Sequence, residues 1–359
     1  MTMLTLPSRR DEAWRWADLG ALEAARAVPR GDRADAAAHF LPIAGPRLVF
    51  VDGVFDEAAS EHDAVSVEPI QAATDHPLGS ATSGAGWSLT LAREAAVTGI
   101  QIVHIGTGGE SHVPGRILLA ADAVASITET FVGAGWANRL TRIELGEGAR
   151  LMRWVRIKQD GGFVSLREEA TIGKAASLVS VFLGAGGMGS RIDGTLRVIG
   201  DGGYAEMGGA LLTRATQRQE CAVTVRHEAL NGASNQLWRA VAADLSAASL
   251  AARVDVARGA QKTDGVQSLR GLLLDRTATV NLKPELEIFA DDVKCAHGAT
   301  VGELDKRAMF YLASRGIPEG RAKALMTRAF VGDAVDRIGE DAVRDAFAAD
   351  ADAWLDMAA

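Results

Sequence analysis

Cysteine is nearly absent from this 359-residue sequence, which has only Cys221 and Cys295. Two thiols give no disulfide framework. They also fall short of the four-thiolate shell usual for structural zinc or an iron–sulfur cluster, so any such site needs histidine or carboxylate ligands, or a second chain. Aromatic residues are few, at 5%, which suits a fold built from small and aliphatic side chains. A basic surface is missing as well: the net charge is −8 and no Lys/Arg cluster stands out. This argues against nucleic acid or an anionic membrane as a partner. No apolar run reaches the roughly 20 residues that span a bilayer. MTMLTLPSRRDEAWRW lacks the apolar core of a signal peptide, so a cytoplasmic location is expected. No G-x-x-x-x-G-K-[ST] occurs, and hence no P-loop and no nucleotide site.

What is present is enough chain for two or three domains, 48% of it hydrophobic. Residues 1–85 read as an N-terminal helical or mixed region. Ser8 precedes Asp11 by three residues, a variant of the capping box, and Trp14, Ala17, Ala21 and Ala24 then follow at helical spacing. Trp14 and Trp16 read as anchors of that helix to the body. RLVFVDGVF (47–55) reads as a strand with Asp52-Gly53 as its turn.

From about 86 to 300 short β-type segments recur between Gly, Asp and Asn, with little helical periodicity. LGEGA (145–149), REEAT (167–171), DRTAT (275–279) and CAHGAT (295–300) look like equivalent corners, about 21 residues apart within pairs. A sandwich or a β-helix could both give this pattern. The unbroken strand run and the scarce aromatics favour a parallel β-helix of some eight to ten coils, at roughly 20–25 residues each, with flanking helices capping its ends. Residues 301–359 read as helical. Leu304, Ala308, Tyr311 and Leu312 form one stripe, a second helix covers 319–330 and ends at Gly332, and a third carries Val335, Ile338, Val343 and Phe347.

Four stretches hold candidate chemistry. GAGGMG (184–189) matches G-x-G-x-x-G, but the following SRIDGTLRVIG reads as a strand, so no helix N-terminus faces a phosphate and the segment reads as a Gly-rich corner. His104, Glu110 and His112 match no metal-ligand spacing and read as a polar loop. His227, six residues from Cys221, reads as a chance grouping. DDVKCAHGAT (291–300) is denser. In an extended chain Cys295 and His297 point to one side, roughly 6.5–7 Å apart along the strand. Thiolate and imidazole suit iron, copper or zinc, and Asp291 and Asp292 could orient the imidazole or neutralise Lys294. The alternative is a buried small hydrophobe beside a corner histidine.

The surrounding sequence, PELEIFADDVKCAHGATVGELDKRAMFYLASRGI (284–317), resembles the signature of the SufB/SufD family of iron–sulfur cluster assembly proteins. ARGAQKTDGVQSLRGLLLD (257–275) and PSRRDEAWRWADL (7–19) resemble the same family. The resemblance implies a right-handed parallel β-helix, mainly β, with N- and C-terminal helical regions. It implies a scaffold and not an enzyme, in complex with a SufB-type paralogue and a SufC-type ATPase, or a homodimer when alone. The short chain, its N-terminus and the few cysteines fit the SufD-type branch. The resemblance further implies that His297 lies at the SufB contact and serves cluster formation or iron acquisition, with Cys295 beside it. Asp291, Asp292 and Lys294 then belong to the interface, and 304–347, with Tyr311 and Leu312, to ATPase docking. The cofactor would be a transient iron–sulfur cluster shared with the partner, or iron. The competing reading is a sulfur-transfer enzyme with Cys295 as persulfide-carrying nucleophile and His297 as base.

Overall fold

The computed structural model describes residues 6–358, so the outermost ends of the flanking regions (1–5 and 359), and with them part of the N-terminal stretch judged for a signal peptide, lie outside it. Helix α1 (Leu19–Arg26) is followed by β1 (Arg47–Val51), β2 (Val54–Phe55), β3 (Ser66–Ile70) and β4 (Gly84–Leu91). Two long bent strands come next, β5 (Ala96–Leu119) and β6 (Val124–Leu145). Eleven shorter strands continue the winding: β7 (Arg150–Ile157), β8 (Gly161–Ile172), β9 (Ser177–Gly184), β10 (Gly189–Val198), β11 (Tyr204–Thr213), β12 (Arg218–His227), β13 (Ala233–Ala242), β14 (Ala247–Val256), β15 (Asp264–Leu273), β16 (Thr279–Ile288) and β17 (Lys294–Glu303). Three helices close the chain, α2 (Lys306–Ser314), α3 (Glu319–Val335) and α4 (Asp341–Ala358). No helix among the described residues is long and apolar enough to cross a membrane.

From β6 onward the strands alternate between two parallel ladders. One runs β6–β8–β10–β12–β14–β16 and the other β6–β7–β9–β11–β13–β15–β17. The result is a parallel β-solenoid of about eight turns, as the strand pattern suggests. The repeat is longer than the motif spacing predicts. Arg218 lies over Gly189 and Ala247 over Arg218, so a coil takes 29 residues there; others range from 26 (Val124 to Arg150) to 32 (Ala247 to Thr279). The reason is that REEAT lies inside β8 and CAHGAT inside β17. The 21-residue spacing compares a corner with a strand.

The true corners stack. Glu94, Asp122, Gly148, Ala175, Gly202, Asn231 and Lys262 all have φ between 52° and 70°. Each donates its amide to a carbonyl in the next coil's corner, for example Asp122 N–H to Glu147 and Asn231 N–H to Gln261. The left-handed conformation costs a non-glycine residue roughly 1–2 kcal/mol, and this bond helps offset it. GAGGMG connects β9 to β10, a Gly-rich corner as expected, with its Ala185 and Met188 amides donating to Ile157 and Gly162 of the preceding coil.

Alternate residues point into a lumen filled mostly with aliphatic side chains. The lumen also holds polar groups that the sequence pattern conceals. His104 is no loop residue: it stacks between Phe50 and Phe131 (5.5 and 4.6 Å), with Nε2 3.0 Å from Glu129. Glu129 also accepts from Arg153 at 2.6 Å. Burial drives His104 towards its neutral form.

The terminal regions differ from expectation. The described residues 6–45 hold only eight α-helical residues, and the helix is capped by Asp18, whose Oδ1 accepts from Ala21 N–H at 3.0 Å, not by Ser8. Around it are 3-10 turns and Pro- and Gly-interrupted chain. Trp14 is buried with Leu22, Ala25, Trp136 and Phe163, an anchor as predicted. The C-terminal helices do not cap the stack. Val331, Val335, Ile338, Val343, Phe347 and Trp354 pack on the outer flank of the second ladder, against Trp154, Val181, Leu183, Leu212 and Val241. Gly332 lies inside α3 and does not end it. The set Val335, Ile338, Val343 and Phe347 is therefore a packing face, divided between the end of α3, the turn after it and α4. Ion pairs add to it: Arg156 and the partly exposed Lys158 to Asp350 (both 2.6 Å), and the partly exposed Arg337 to buried Glu206 (2.7 Å).

One lumen histidine gives the fold a pH signature. His227 is fully buried with no counter-charge, its Nε2 2.9 Å from Ser234 Oγ, and burial pulls its pKa down to about 4. The unfolded chain takes up a proton near pH 6.5 while the folded chain resists it, so stability falls as pH drops from about 6.5 to about 4, by roughly 3 kcal/mol in all. His227→Gln, which does not titrate, should lose about 2 kcal/mol less than wild type between pH 7 and pH 5 in urea unfolding. Equal losses would show that the histidine is not the titrating group.

Candidate functional site

DDVKCAHGAT occupies the last corner and last strand of the stack. β16 pairs with β14 and β17 with β15, and among the described strands neither ladder continues beyond them. The outer backbone edge of the final coil is unpaired, and β17 is exposed along nearly its whole length.

The register decides which way the ligand candidates face. Gly265, Gln267 and Leu269 of β15 are buried and point inward, while Val266 and Arg270 point out. Cys295 lies over Gly265 and His297 over Gln267. Both therefore belong to the inward row, at the mouth of the lumen, on one side of the strand as the spacing predicts. A Cβ at Gly265 would sit 3.4 Å from Cys295 Sγ, an ordinary van der Waals contact, so the thiol packs closely over this position. The thiol is half-buried beside Val254, Val256, Leu286 and Val293. Burial raises its pKa and the Asp264 carboxylate adds to the rise, against the Gly265 amide. It is a thiol, not a thiolate, at neutral pH. His297 is exposed and, among the described residues, has no hydrogen bond or ion pair.

The acidic pair does not act on the imidazole. Asp292 serves the corner through its backbone: its carbonyl accepts from Lys262 N–H at 2.5 Å and its N–H donates to Gln261 Oε1 at 2.9 Å. Asp291, Asp292 and Lys294 all expose their side chains, and none pairs with another or with His297. They form a charged rim instead of an orienting shell. No three His, Cys, Asp or Glu side chains among the described residues could together hold a metal ion. Cys295 and His297 supply two donors of types that suit iron, half of a site.

Tyr311 and Leu312 lie on α2, capped by Asp305, whose Oδ1 accepts from Arg307 N–H at 2.8 Å. This helix buries no residue. Tyr311 is 56% exposed and Phe310, which the sequence reading passed over, 77%. Leu312 is half-buried. Phe310 and Met309 border an apolar groove of about 600 Å³ with Leu273, Leu274, Leu304 and Ala313.

Comparison with known proteins gives these elements a family. Residues 81–330 match the family described as SUF system FeS cluster assembly, SufBD core domain. An iron–sulfur cluster assembly SufBD family protein of Synechocystis is 28% identical over 93% of this chain and 84% of its own length. One from Mycobacterium tuberculosis is 28% identical over 95% of this chain and 87% of its own. The Escherichia coli iron–sulfur cluster assembly protein SufD is 40% identical over 31% of this chain and 26% of its own length.

The burial of the two thiols predicts their reactivity. At pH 7.5 iodoacetamide should label Cys295 alone, more slowly than free cysteine, and Cys221 only after unfolding, because Cys221 is buried and its pKa is pushed up strongly by burial. Mass spectrometry of peptides from native and urea-unfolded chain reads this out; rapid native labelling of Cys221 would contradict the packing.

Proposed function

Because the chain belongs to the SufBD family of iron–sulfur cluster assembly proteins, we propose that it is the SufD-type scaffold subunit, contributing His297 and secondarily Cys295 to a cluster built at its contact with a SufB-type paralogue. One observation carries the proposal: an inward cysteine and an unpartnered histidine stand side by side on the unpaired edge of the last coil. A second solenoid whose own last coil meets this edge would pair its backbone groups and bring further ligands against the two present here. In the partner's absence a second copy of this chain would cover the same edge. The charged rim of Asp291, Asp292 and Lys294 would set the orientation of the encounter.

The cluster, or the iron from which it grows, is cargo held between two chains. The ATPase function belongs to a SufC-type subunit docked on α2 and its groove, where Phe310 and Tyr311 offer aromatic anchors of the kind that dominate interface energetics. The sulfur-transfer alternative fits less well. A persulfide-forming cysteine needs a lowered pKa or an adjacent base. Burial raises that of Cys295, and no hydrogen bond ties it to His297.

Co-expression with SufB- and SufC-type partners, followed by anaerobic iron and acid-labile sulfide analysis, tests the assignment. His297→Ala should lose most of the bound iron and sulfide while the complex still forms, and Cys295→Ser should lose less. Wild-type cluster content in His297→Ala would remove the histidine from the site. If Cys295→Ser were the more damaging variant, the sulfur-transfer reading would gain. Separately, Phe310→Asp should abolish co-purification of the ATPase yet keep the SufB-type partner; retention of both would displace the docking site from α2.

A further inference from the structure

We propose that Gln267 positions His297: its side-chain carbonyl oxygen accepts the hydrogen of one ring nitrogen and leaves the lone pair of the other for a metal. The inference deepens the reading of His297 as a ligand and rests on it.

Gln267 lies in the inward row of β15, 1% exposed, directly below His297 in register. Neighbouring strands of a parallel ladder are about 4.8 Å apart, so the two side chains are stacked at the lumen mouth. Gln267 Nε2 donates across the lumen to the Glu285 carbonyl of β16 at 3.2 Å. That bond orients the amide. Its Oε1 is then a buried acceptor with no donor among the described residues, an uncommon state for a buried polar atom. Above it stands a ring that carries an N–H in either tautomer and has no partner of its own. An unmet acceptor and an unmet donor thus occupy adjacent places in one row.

One coil deeper, Gln236 is built alike. Its Nε2 donates to the Arg253 carbonyl at 2.9 Å and its Oε1 is also unmet. The residue above Gln236 is Gln267, whose amide nitrogen already donates to Glu285. Gln236 therefore repeats the bridge across the lumen without adjoining a histidine, and it serves as a control. The chemistry of metal-bound imidazole supplies the purpose. A ligating histidine almost always donates its second ring N–H to an oxygen acceptor, which fixes tautomer and ring plane and raises the basicity of the ligating nitrogen. Asp291 and Asp292 do not provide this contact; Gln267 is the buried acceptor at the adjacent place in the row, and a rotation of the exposed ring would be needed to close the bond.

Histidine-selective 15N NMR of the full chain tests the contact, with His297→Asn assigning the resonances. In wild type His297 should show one dominant neutral tautomer. Gln267→Leu, which keeps the bulk and removes the acceptor, should shift it to the tautomer mixture of an unconstrained imidazole. Gln267→Glu, which retains an acceptor oxygen, should preserve the single tautomer, and Gln236→Leu should leave it unchanged. In the complex with SufB- and SufC-type partners, Gln267→Leu should lower iron and sulfide content at least several-fold while Gln267→Glu retains most of it; losses of about 10–100-fold are usual when such contacts to a metal-bound histidine are removed. An identical His297 signature in wild type and Gln267→Leu overturns the proposal. So does an equal shift in Gln236→Leu, which would mark a general loosening of the lumen. If the tautomer responds as expected but His297→Ala assembles clusters normally, the contact stands and the ligand reading beneath it fails.

Discussion

A coil in a parallel solenoid satisfies its backbone hydrogen bonds only by lying on another coil. Every strand from β6 to β15 has a neighbour on both sides, and even the corners donate from one coil to the next. Two ends remain. At the start, β1 and β4 lie in register on β5, and the antiparallel strands β2 and β3 pair with them in turn, with Asp52 and Gly53 at positive φ making the tight turn between β1 and β2. At the finish no strand among the described residues pairs with the outer edges of β16 and β17. An open, regular edge is an aggregation hazard unless another chain uses it. The location of the Cys295–His297 pair on this edge follows from the same constraint, because only the last coil can offer lumen-facing side chains to a second molecule.

The terminal helices could have closed that end and do not. α3 and α4 lie along the flank of the second ladder, fixed by an apolar face and by Arg156–Asp350, Arg239–Asp333 and Arg337–Glu206. Of these only Arg156–Asp350 is buried on both sides; such a pair adds little net stability beside apolar packing, but breaking one partner is costly, so it favours a single seating of α4. α2 is held differently, with no buried residue. The C-terminal region is therefore two parts: a rigid pair of helices that belongs to the body, and one exposed helix beside an apolar groove. The separation leaves the edge and the groove as two distinct surfaces, and a partner on one need not displace a partner on the other.

Much of this was legible in the residues, and the failures have physical causes. Period-two segments divided by Gly, Asp and Asn reveal the solenoid because each strand must alternate between lumen and solvent. The DDVKCAHGAT segment is legible because Cys and His two apart in a strand must share a face. Coil length was misjudged because corners and strand interiors draw on the same small and acidic residues, so REEAT inside β8 mimics LGEGA at a true corner. His104 was misread because a charged or polar residue inside a lumen contradicts the hydrophobic pattern; only the stacking rings of Phe50 and Phe131 and the carboxylate of Glu129, brought from separate coils, make its position intelligible. An apolar helix stripe shows that a helix is packed but not against what, and the capping role assigned to α3 and α4 failed for that reason. Gln267 carries no local signal at all. Its relation to His297 exists only in the 30-residue register between β15 and β17.

The two donors at the edge are not equivalent, and the difference lies in their surroundings. Cys295 is held as a thiol by burial and by the Asp264 carboxylate, so a metal must displace its proton before the sulfur can bind. A metal already held nearby supplies the positive charge that makes this displacement favourable. His297 stands differently: its ring is exposed and, among the described residues, has no hydrogen bond or ion pair to give up before a metal approaches. The order of engagement follows. In the proposed assembly the histidine would meet an incoming metal first, together with ligands from the facing chain, and the cysteine would join once that charge lowers its cost of ionisation. Two donors on one chain would then bind a metal weakly by themselves and well only in the proposed interface, which would suit a scaffold that later releases its cargo.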